Sequence, residues 1–322
     1  MTLAKHTQSD LNKLKYDAGE LVLSALESDD ITEIMLNPDG VIWFESRSSG
    51  MYPAGTMPAF QAKNFLHTIA GIQGLYITED HPVLETELPL DRSRFEGTLP
   101  PLTENPSFTI RKRAKEIYTL SDYLHRGIVN QKQVDVIREA ICARKNILIC
   151  GGPGTGKTTL TNACIHELTQ LCDLSQRIVI LEDVPELQCS AKNVLSMCTS
   201  KNIDMSALLR ITLRSRPDRI LVGEVRDKAM LDLLKAWNTG CPGGIATVHA
   251  NGTIAAIQRC CDLAMEANIP KPVSLICETV NVIVSIERDP KHPAGRLVRA
   301  VTELKGHKDQ DFIFQHLATM ET

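Results

Sequence analysis

Cysteine is absent from the first 141 residues, and the ten cysteines that follow, from Cys142 to Cys277, contain no C-x-x-C spacing. Zinc modules built on paired cysteines are excluded with it. Cys260 and Cys261 form the only tight pair, and Cys150 and Cys277 lie in apolar surroundings where a thiol acts as a small hydrophobe. Reduced core thiols in a cytoplasmic compartment are expected. Positive charge is not in excess either, since the formal net charge is -4. The densest basic run, Arg111 to Lys115, is short, and no aromatic–basic stretch occurs, so neither bulk nor sequence-specific nucleic-acid binding is expected. Long apolar runs are missing too. The most apolar late stretch, Val273 to Ile286, is broken by Glu278 and Asn281 and is too short to span a bilayer. Met1 to Gln8 lacks the apolar core of a signal peptide. Any membrane role is expected to be peripheral.

What is present suffices for two domains. The chain has 322 residues, 43% hydrophobic and 23% charged, an ordinary globular balance. Leu11 to Ser28 reads as an amphipathic helix, Ile31 to Leu36 and Val41 to Glu45 as a hairpin around the Asn37–Gly40 turn, and Pro58 to Ile72 as another helix. From Pro82 to Arg111 come prolines and short alternating runs (Arg94 to Leu99, Ser107 to Ile110), read as strands joined by tight loops. These make a small α+β domain over 1–112, with a connection at 113–127. Over 128–322, a helix at Gln131 to Arg144 leads into strands at Asn146 to Cys150, Arg177 to Leu181, Ile220 to Val222, Gly244 to Val248 and Val280 to Ile286. Helical segments lie between them. Strands alternating with helices imply an α/β domain with a mainly parallel sheet.

Within that domain, Gly151, Gly152, Pro153, Gly154, Thr155, Gly156, Lys157 and Thr158 satisfy G-x-x-x-x-G-K-[ST]. An apolar strand precedes them, and a helix follows from Thr159, the arrangement in which a phosphate-binding P-loop works. Glycines let backbone N–H groups close around phosphate oxygens, and the helix N-terminus adds partial positive charge. Lys157 is expected to reach the terminal phosphates of ATP, the Thr158 hydroxyl to ligate Mg²⁺, and Thr159 to complete the nucleotide-binding loop.

Hydrolysis needs more than a loop: carboxylates near the metal, a positioned water and cations for transition-state charge. Candidates belong at the carboxyl ends of the parallel strands. Glu182, Asp183 and Glu186 follow one strand directly, and serve either Mg²⁺ and its waters or an acidic surface loop. Glu224 follows the strand Ile220 to Val222 through Gly223, which occupies the place where many P-loop enzymes put aspartate. It is the leading candidate to activate water or to hold the metal's waters. His249 ends a third strand as a structural histidine or a γ-phosphate sensor. Arg94 and Arg111 in the first domain, and Arg210, Arg214 and Arg216 before the Glu224 strand, offer planar guanidinium groups that suit phosphate. Arg210 and Arg214, at helical spacing, equally fit an exposed helix face.

Together these blocks resemble the secretion ATPase superfamily, which powers type II and type IV secretion, conjugation and type IV pili. Its signatures are a Walker A loop (Gly151–Thr158), an Asp box close to E-D-x-x-E-[LF] (Glu182–Leu187, with Val184 where threonine or proline is usual), a Walker B element ending in Gly-Glu (Ile220–Glu224) and a His box ending in His-Ala-Asn (Gly243–Asn251). The runs Leu88 to Pro101, Phe108 to Lys112 and Ile34 to Gly40 look very like the TrbB-type conjugative transfer ATPases.

The resemblance implies a RecA-like P-loop NTPase domain behind a smaller α+β N-terminal domain. It matches Lys157 and Thr158 to phosphate and Mg²⁺ binding. Glu186 and Glu224 match carboxylates that share metal-water and base roles, and His249 matches the His-box histidine. Arg94 and Arg111 match arginines that reach the phosphates across the domain cleft, and Arg214 an arginine preceding Walker B. It also implies a homo-hexameric ring with ATP between the two domains, peripheral on the cytoplasmic face of the inner membrane, and partnered by other ATPases and inner-membrane channel subunits. Hydrolysis is expected to change the angle between the domains. A pilus motor or type II secretion ATPase competes with a conjugation motor, but the tetracysteine module of assembly motors is missing. So is the Ala-Ile-Arg-Asn-Leu-Ile-Arg run of retraction motors, which Arg259 to Lys271 does not contain. A nucleotide-gated scaffold is opposed by Glu224, and a helicase-like enzyme by the acidic charge.

Overall fold

The computed structural model describes residues 7–113, 117–173, 175–200 and 202–320. The chain divides into two compact units, Met1–Lys115 and Glu116–Thr322. Residues 1–6 of the N-terminal stretch, and residues 114–116 of the basic run and expected connection, lie outside the described residues.

The first unit opens with α1 (Gln8–Glu27), which starts at a capping box: the Thr7 side chain accepts from Asp10 N, and the Asp10 carboxylate accepts from Thr7 N. Leu14, Ala18, Val22 and Ala25, at helical spacing, face the core. The helix is not continuous as its periodicity predicts. Gly19 breaks it at φ 77°, a conformation that costs glycine no Cβ clash. β1 (Ile31–Leu36), β2 (Val41–Ser46), β3 (Gly50–Thr56), α2 (Ala59–Ile72), β4 (Val83–Glu87), β5 (Arg94–Thr98) and β6 (Ser107–Arg111) follow. The strands form an antiparallel sheet in the order β3-β2-β1-β6-β5-β4. Strand β3 has no counterpart in the sequence reading, because it is a mostly exposed edge strand interrupted by Pro53 and Gly55. Phe65 of α2 meets Phe95 and Phe108 of the sheet edge-on at 5.7 and 5.3 Å. Gly97 lets α2 approach, since a Cβ there would sit 2.0 Å from Leu66 Cδ2.

The second unit contains α3 (Leu120–His125), α4 (Gln131–Cys142), β7 (Ile147–Gly151), α5 (Lys157–Leu171), β8 (Ile178–Glu182), β9 (Val194–Cys198), α6 (Met205–Thr212), β10 (Arg219–Val222), α7 (Ala229–Asn238), β11 (Ile245–His249), α8 (Thr253–Met265), α9 (Val273–Thr279), β12 (Val282–Arg288), β13 (Arg296–Lys308) and β14 (Asp311–Thr319). Their sheet runs β14-β13-β12-β7-β11-β10-β8-β9. It is parallel from β12 to β9, and β13 and β14 are added antiparallel. Every residue of β7, β8 and β10 is buried, as in a parallel sheet covered on both faces. Alternation sorts them between two cores. Ile147, Ile149, Ile178 and Ile180 pack with α3, α4 and α5, whereas Leu148, Cys150, Val179 and Leu181 pack with α6 to α9.

Helix α3 falls inside the stretch read as a connection, yet Leu120 and Tyr123 are buried in the second unit's core. The apolar Val273 to Ile286 stretch divides into α9 and β12. All ten cysteines are free thiols. Burial pushes the thiols of Cys150 and Cys164 up to about 12.

Candidate functional site

Strand β7 ends at Gly151, and the loop from Gly152 to Gly156 turns the chain into α5. Gly154 and Gly156 take φ of 65° and 96°, which L side chains rarely adopt. Gly151 is required for a different reason: a Cβ there would lie 2.3 Å from the Ile286 carbonyl oxygen. The buried Thr155 hydroxyl donates to Gly152 O at 2.9 Å and closes the loop on itself. Lys157, the first residue of α5, curls back so that Nζ donates to Gly151 O at 2.9 Å and Gly152 O at 3.0 Å. Thr158 follows one residue on, and its Oγ1 donates to Glu186 Oε2 at 3.2 Å.

The parallel register brings the carboxyl ends of β7, β11, β10 and β8 to one edge. His249 pairs in register with Gly151, so its ring stands beside the loop, with Nδ1 3.0 Å from Lys157 Nζ. Across that ring, Nε2 lies 2.8 Å from Glu224 Oε1. The other oxygen of Glu224 accepts from Arg226 Nη2 at 2.6 Å. Arg226 also faces Asp183 at 3.8 Å, and the hydrogen bond to Glu224 raises its own affinity for its proton. One chain of contacts thus runs Lys157–His249–Glu224–Arg226–Asp183.

Glu182 stands apart from this chain. It is buried, and its Oε1 accepts from the backbone N–H groups of Glu186 at 2.8 Å and Leu187 at 2.7 Å. Its carboxylate therefore shapes the turn that presents Glu186. The same side chain explains the residue before Glu224. A Cβ on Gly223 would sit 3.1 Å from Glu182 Cγ, so Glu182 fills the space an aspartate at 223 would need. The Gly223 carbonyl accepts from Thr247 Oγ1 at 2.6 Å and ties β10 to β11.

For a divalent cation, the structure offers the Thr158 hydroxyl and the Glu186 carboxylate as adjacent oxygens at the start of α5. That fits Mg²⁺, which takes one or two protein oxygens and leaves its other positions to phosphate and water. No cluster of three or more His, Cys, Asp or Glu side chains suited to a metal occurs among the described residues. A cavity of about 260 Å³ lies beside Glu224, lined also by Asp183, Thr199, Asp204, Arg226 and Asp227 and by no residue of the phosphate loop.

Arg94 and Arg111 lie within the first unit as direct cross-strand partners on β5 and β6. They are flanked in the same row by Glu87 and Glu33, and Arg111 Nε is 3.7 Å from Glu33 Oε1. The Arg94 side chain makes no hydrogen bond or ion pair with another described residue. Arg214 lies just beyond α6, exposed, and its side chain is not joined to the loop by any described contact. Two residues of the site escaped the sequence reading. Arg226 sits two residues after Glu224, and only the fold aims it back at that carboxylate. Asn162, buried on α5, donates through Nδ2 to Glu186 O at 3.2 Å and accepts from Gln188 N at 2.9 Å, pinning the Glu186 loop to the helix. An amide on the buried face of a helix was the signal for it.

The sequence profile of the family described as "Type II/IV secretion system protein" matches residues 78–304. The chain is 45% identical over 295 residues to a probable conjugal transfer protein TrbB of Sinorhizobium fredii (strain NBRC 101917 / NGR234), covering 92% of this chain and 90% of that protein. It is 43% identical over 311 residues to the conjugal transfer protein TrbB of Rhizobium radiobacter, covering 97% and 95%. Among solved structures, the Legionella pneumophila ATPase DotB is similar with a TM-score of 0.65 at 20% identity, over 86% of this chain and 77% of that one, a likeness of fold.

Proposed function

The chain belongs to the type II/IV secretion system protein family and is TrbB-like, and from that premise we propose that it is an ATP-hydrolysing motor of a conjugative type IV secretion system. The second unit is its RecA-like P-loop domain. The observation that carries the reading is the register that sets His249 against Gly151, because it links the phosphate lysine to a carboxylate through one imidazole.

In this reading the loop from Gly151 to Thr159 holds the phosphate chain of ATP, and Lys157 turns its ammonium from the loop carbonyls to the terminal phosphates. Thr158 and Glu186 hold Mg²⁺, which when bound supplies positive charge against the phosphate oxygens. Glu182 and Asp183 support that side of the site, Glu182 by fixing the Glu186 turn and Asp183 by facing Arg226. Glu224 accepts the proton of the attacking water, since a carboxylate oriented by a guanidinium can position and deprotonate it. His249 keeps Glu224 and Lys157 in register. Arg94 and Arg111, two guanidinium groups side by side, supply cationic charge to the phosphates from the first unit, and Arg214 contributes from beyond α6.

The motor works as a homo-hexamer, peripheral on the cytoplasmic face of the inner membrane, against other ATPases and channel subunits of the system. Among the described residues no helix is long and apolar enough to cross a membrane. The test is phosphate release from ATP across a range of protein concentrations. The wild type should turn over, with specific activity rising as the ring assembles. Glu224→Gln should bind ATP and lose turnover by roughly 10²-fold or more, and should fail to restore conjugative transfer. Arg94→Ala and Arg111→Ala should lower turnover in the assembled protein. A wild type that binds ATP and releases no phosphate at any concentration would leave a nucleotide-gated scaffold as the answer.

A further inference from the structure

Two arginines far along the chain from the phosphate loop hold its outer face. Arg288 at the end of β12 and Arg296 at the start of β13 are direct cross-strand partners. Arg288 Nε donates to Gly154 O at 3.2 Å, and Arg296 Nη1 donates to Thr155 O at 3.3 Å. The fit is close. A Cβ on Gly154 would lie 2.3 Å from Arg288 Nη2, and one on Gly156 would lie 2.5 Å from Arg296 Nη1. Like charges directly opposite on neighbouring strands repel. The carboxylates that flank Arg288 in sequence, Glu287 and Asp289, pair with Arg299 instead. The loop carbonyls are thus the acceptors that take up this guanidinium pair.

Peptide planarity gives the contact a consequence. In a trans peptide the C=O and the following N–H point in opposite directions. A guanidinium on the Gly154 carbonyl therefore backs the Thr155 N–H, and one on the Thr155 carbonyl backs the Gly156 N–H. Neither N–H donates to another described residue. A charged donor on the carbonyl polarises its peptide and strengthens the opposite N–H as a donor. We propose that Arg288 and Arg296 are positioning residues of the phosphate loop, holding and polarising the Thr155 and Gly156 amides for the phosphate chain of a bound nucleotide. The inference rests on the nucleotide-binding reading above and adds that the loop's anion affinity is set in part from the β12–β13 hairpin.

The experiment is competition binding on the full-length protein, with a fluorescent ATP analogue displaced by ATP, ADP or inorganic tripolyphosphate in the presence of Mg²⁺. The proteins are the wild type, Arg288→Gln, Arg296→Gln, the double Gln variant and the double Lys variant. The double Gln variant should bind all three ligands on the order of tenfold more weakly, the scale of one charge-assisted hydrogen bond. Its loss for tripolyphosphate should equal its loss for ATP, because the effect acts on the phosphate chain alone. The double Lys variant should recover part of the affinity through its charge. KM for ATP should rise in step while kcat changes by less than about threefold, since Glu224 and His249 are held at the ends of other strands. Thermal melting without ligand checks the fold. Should the double variant not fold, the single variants are read in the same way. If the wild type binds neither ATP nor tripolyphosphate, the nucleotide reading itself fails. If it binds both, and folded Gln variants bind both within twofold of it, the arginine inference alone is overturned.

Discussion

The Lys157 ammonium lies 3.0 Å from Nδ1 of His249. An ammonium is only a donor, so Nδ1 accepts, and Nε2 on the far side of the ring lies 2.8 Å from Glu224 Oε1. In the proposed reading, His249 joins the lysine of the phosphate loop to the carboxylate that activates water. His249→Ala should lower kcat for ATP roughly 10- to 10²-fold, the range for losing one positioned proton-handling group, while changing ATP affinity only severalfold. Lys157→Ala should abolish ATP binding. Equal losses of affinity in the two variants would place His249 with the binding loop instead.

Arg226 gives a second test of the same chain. Its guanidinium holds Glu224 at 2.6 Å and also faces Asp183. Arg226→Gln should leave Glu224 free to rotate, lowering kcat on the order of tenfold, less than Glu224→Gln. Arg226→Lys keeps the charge but not the planar fork and should recover only part of the lost rate. An Arg226→Gln protein with the wild-type kcat would mean that Glu224 is held in place without the arginine.

Gly223 stands where an aspartate is common in P-loop enzymes, and Glu182 Cγ is 3.1 Å from the position of its missing Cβ. Gly223→Asp should therefore not improve the site. It should push Glu182 off the Glu186 and Leu187 amides and destabilise the second unit by about 1–3 kcal/mol, the usual cost of overpacking. Turnover should fall with it. Gly223→Ala should show a smaller drop in melting temperature. A Gly223→Asp protein as stable and as active as the wild type would mean that Glu182 has another place to go.

The legible parts of the molecule were those whose chemistry is local. A strand of buried residues, a glycine loop and a helix can be read from Ile147 to Gln170 because each residue acts on its own neighbours. The strand-end carboxylates and His249 were legible for the same reason, since an apolar run stops where they begin. Partners supplied by tertiary register were not. Arg226 bends back to Glu224, Asn162 reaches the Glu186 loop, and Arg288 and Arg296 reach Gly154 and Thr155 across more than a hundred residues of chain. Strands β9, β13 and β14 were also missed. β9 is half-exposed at a sheet edge. β14 alternates in burial but is largely exposed, with Gln315 and His316 breaking the apolar pattern. Gly19 broke α1 without any local signal beyond the glycine itself, which helices often tolerate.

The buried thiols set an alkaline limit on the second unit. Cys150 and Cys164 are pushed from 9.0 up to about 12 by burial. Well below pH 9 both thiols are neutral in the folded and the unfolded chain, and their preference for the neutral form costs nothing. Between pH 9 and 12 the unfolded chain releases protons that the folded chain retains, so stability falls as pH rises, by roughly 1.4 kcal/mol per pH unit for each thiol. Trp237 lies in the second core, and Trp43 is the only other tryptophan. Fluorescence in a Trp43→Phe background therefore reports urea unfolding of the second unit. Its midpoint should fall steeply between about pH 8.5 and about pH 10.5, across the ~9 reference value of a thiol. Cys150→Ala with Cys164→Ala should start from a lower midpoint, because two core side chains are truncated, but should lose less of it over the same interval. Parallel pH slopes for the two proteins would assign the alkaline loss to other groups.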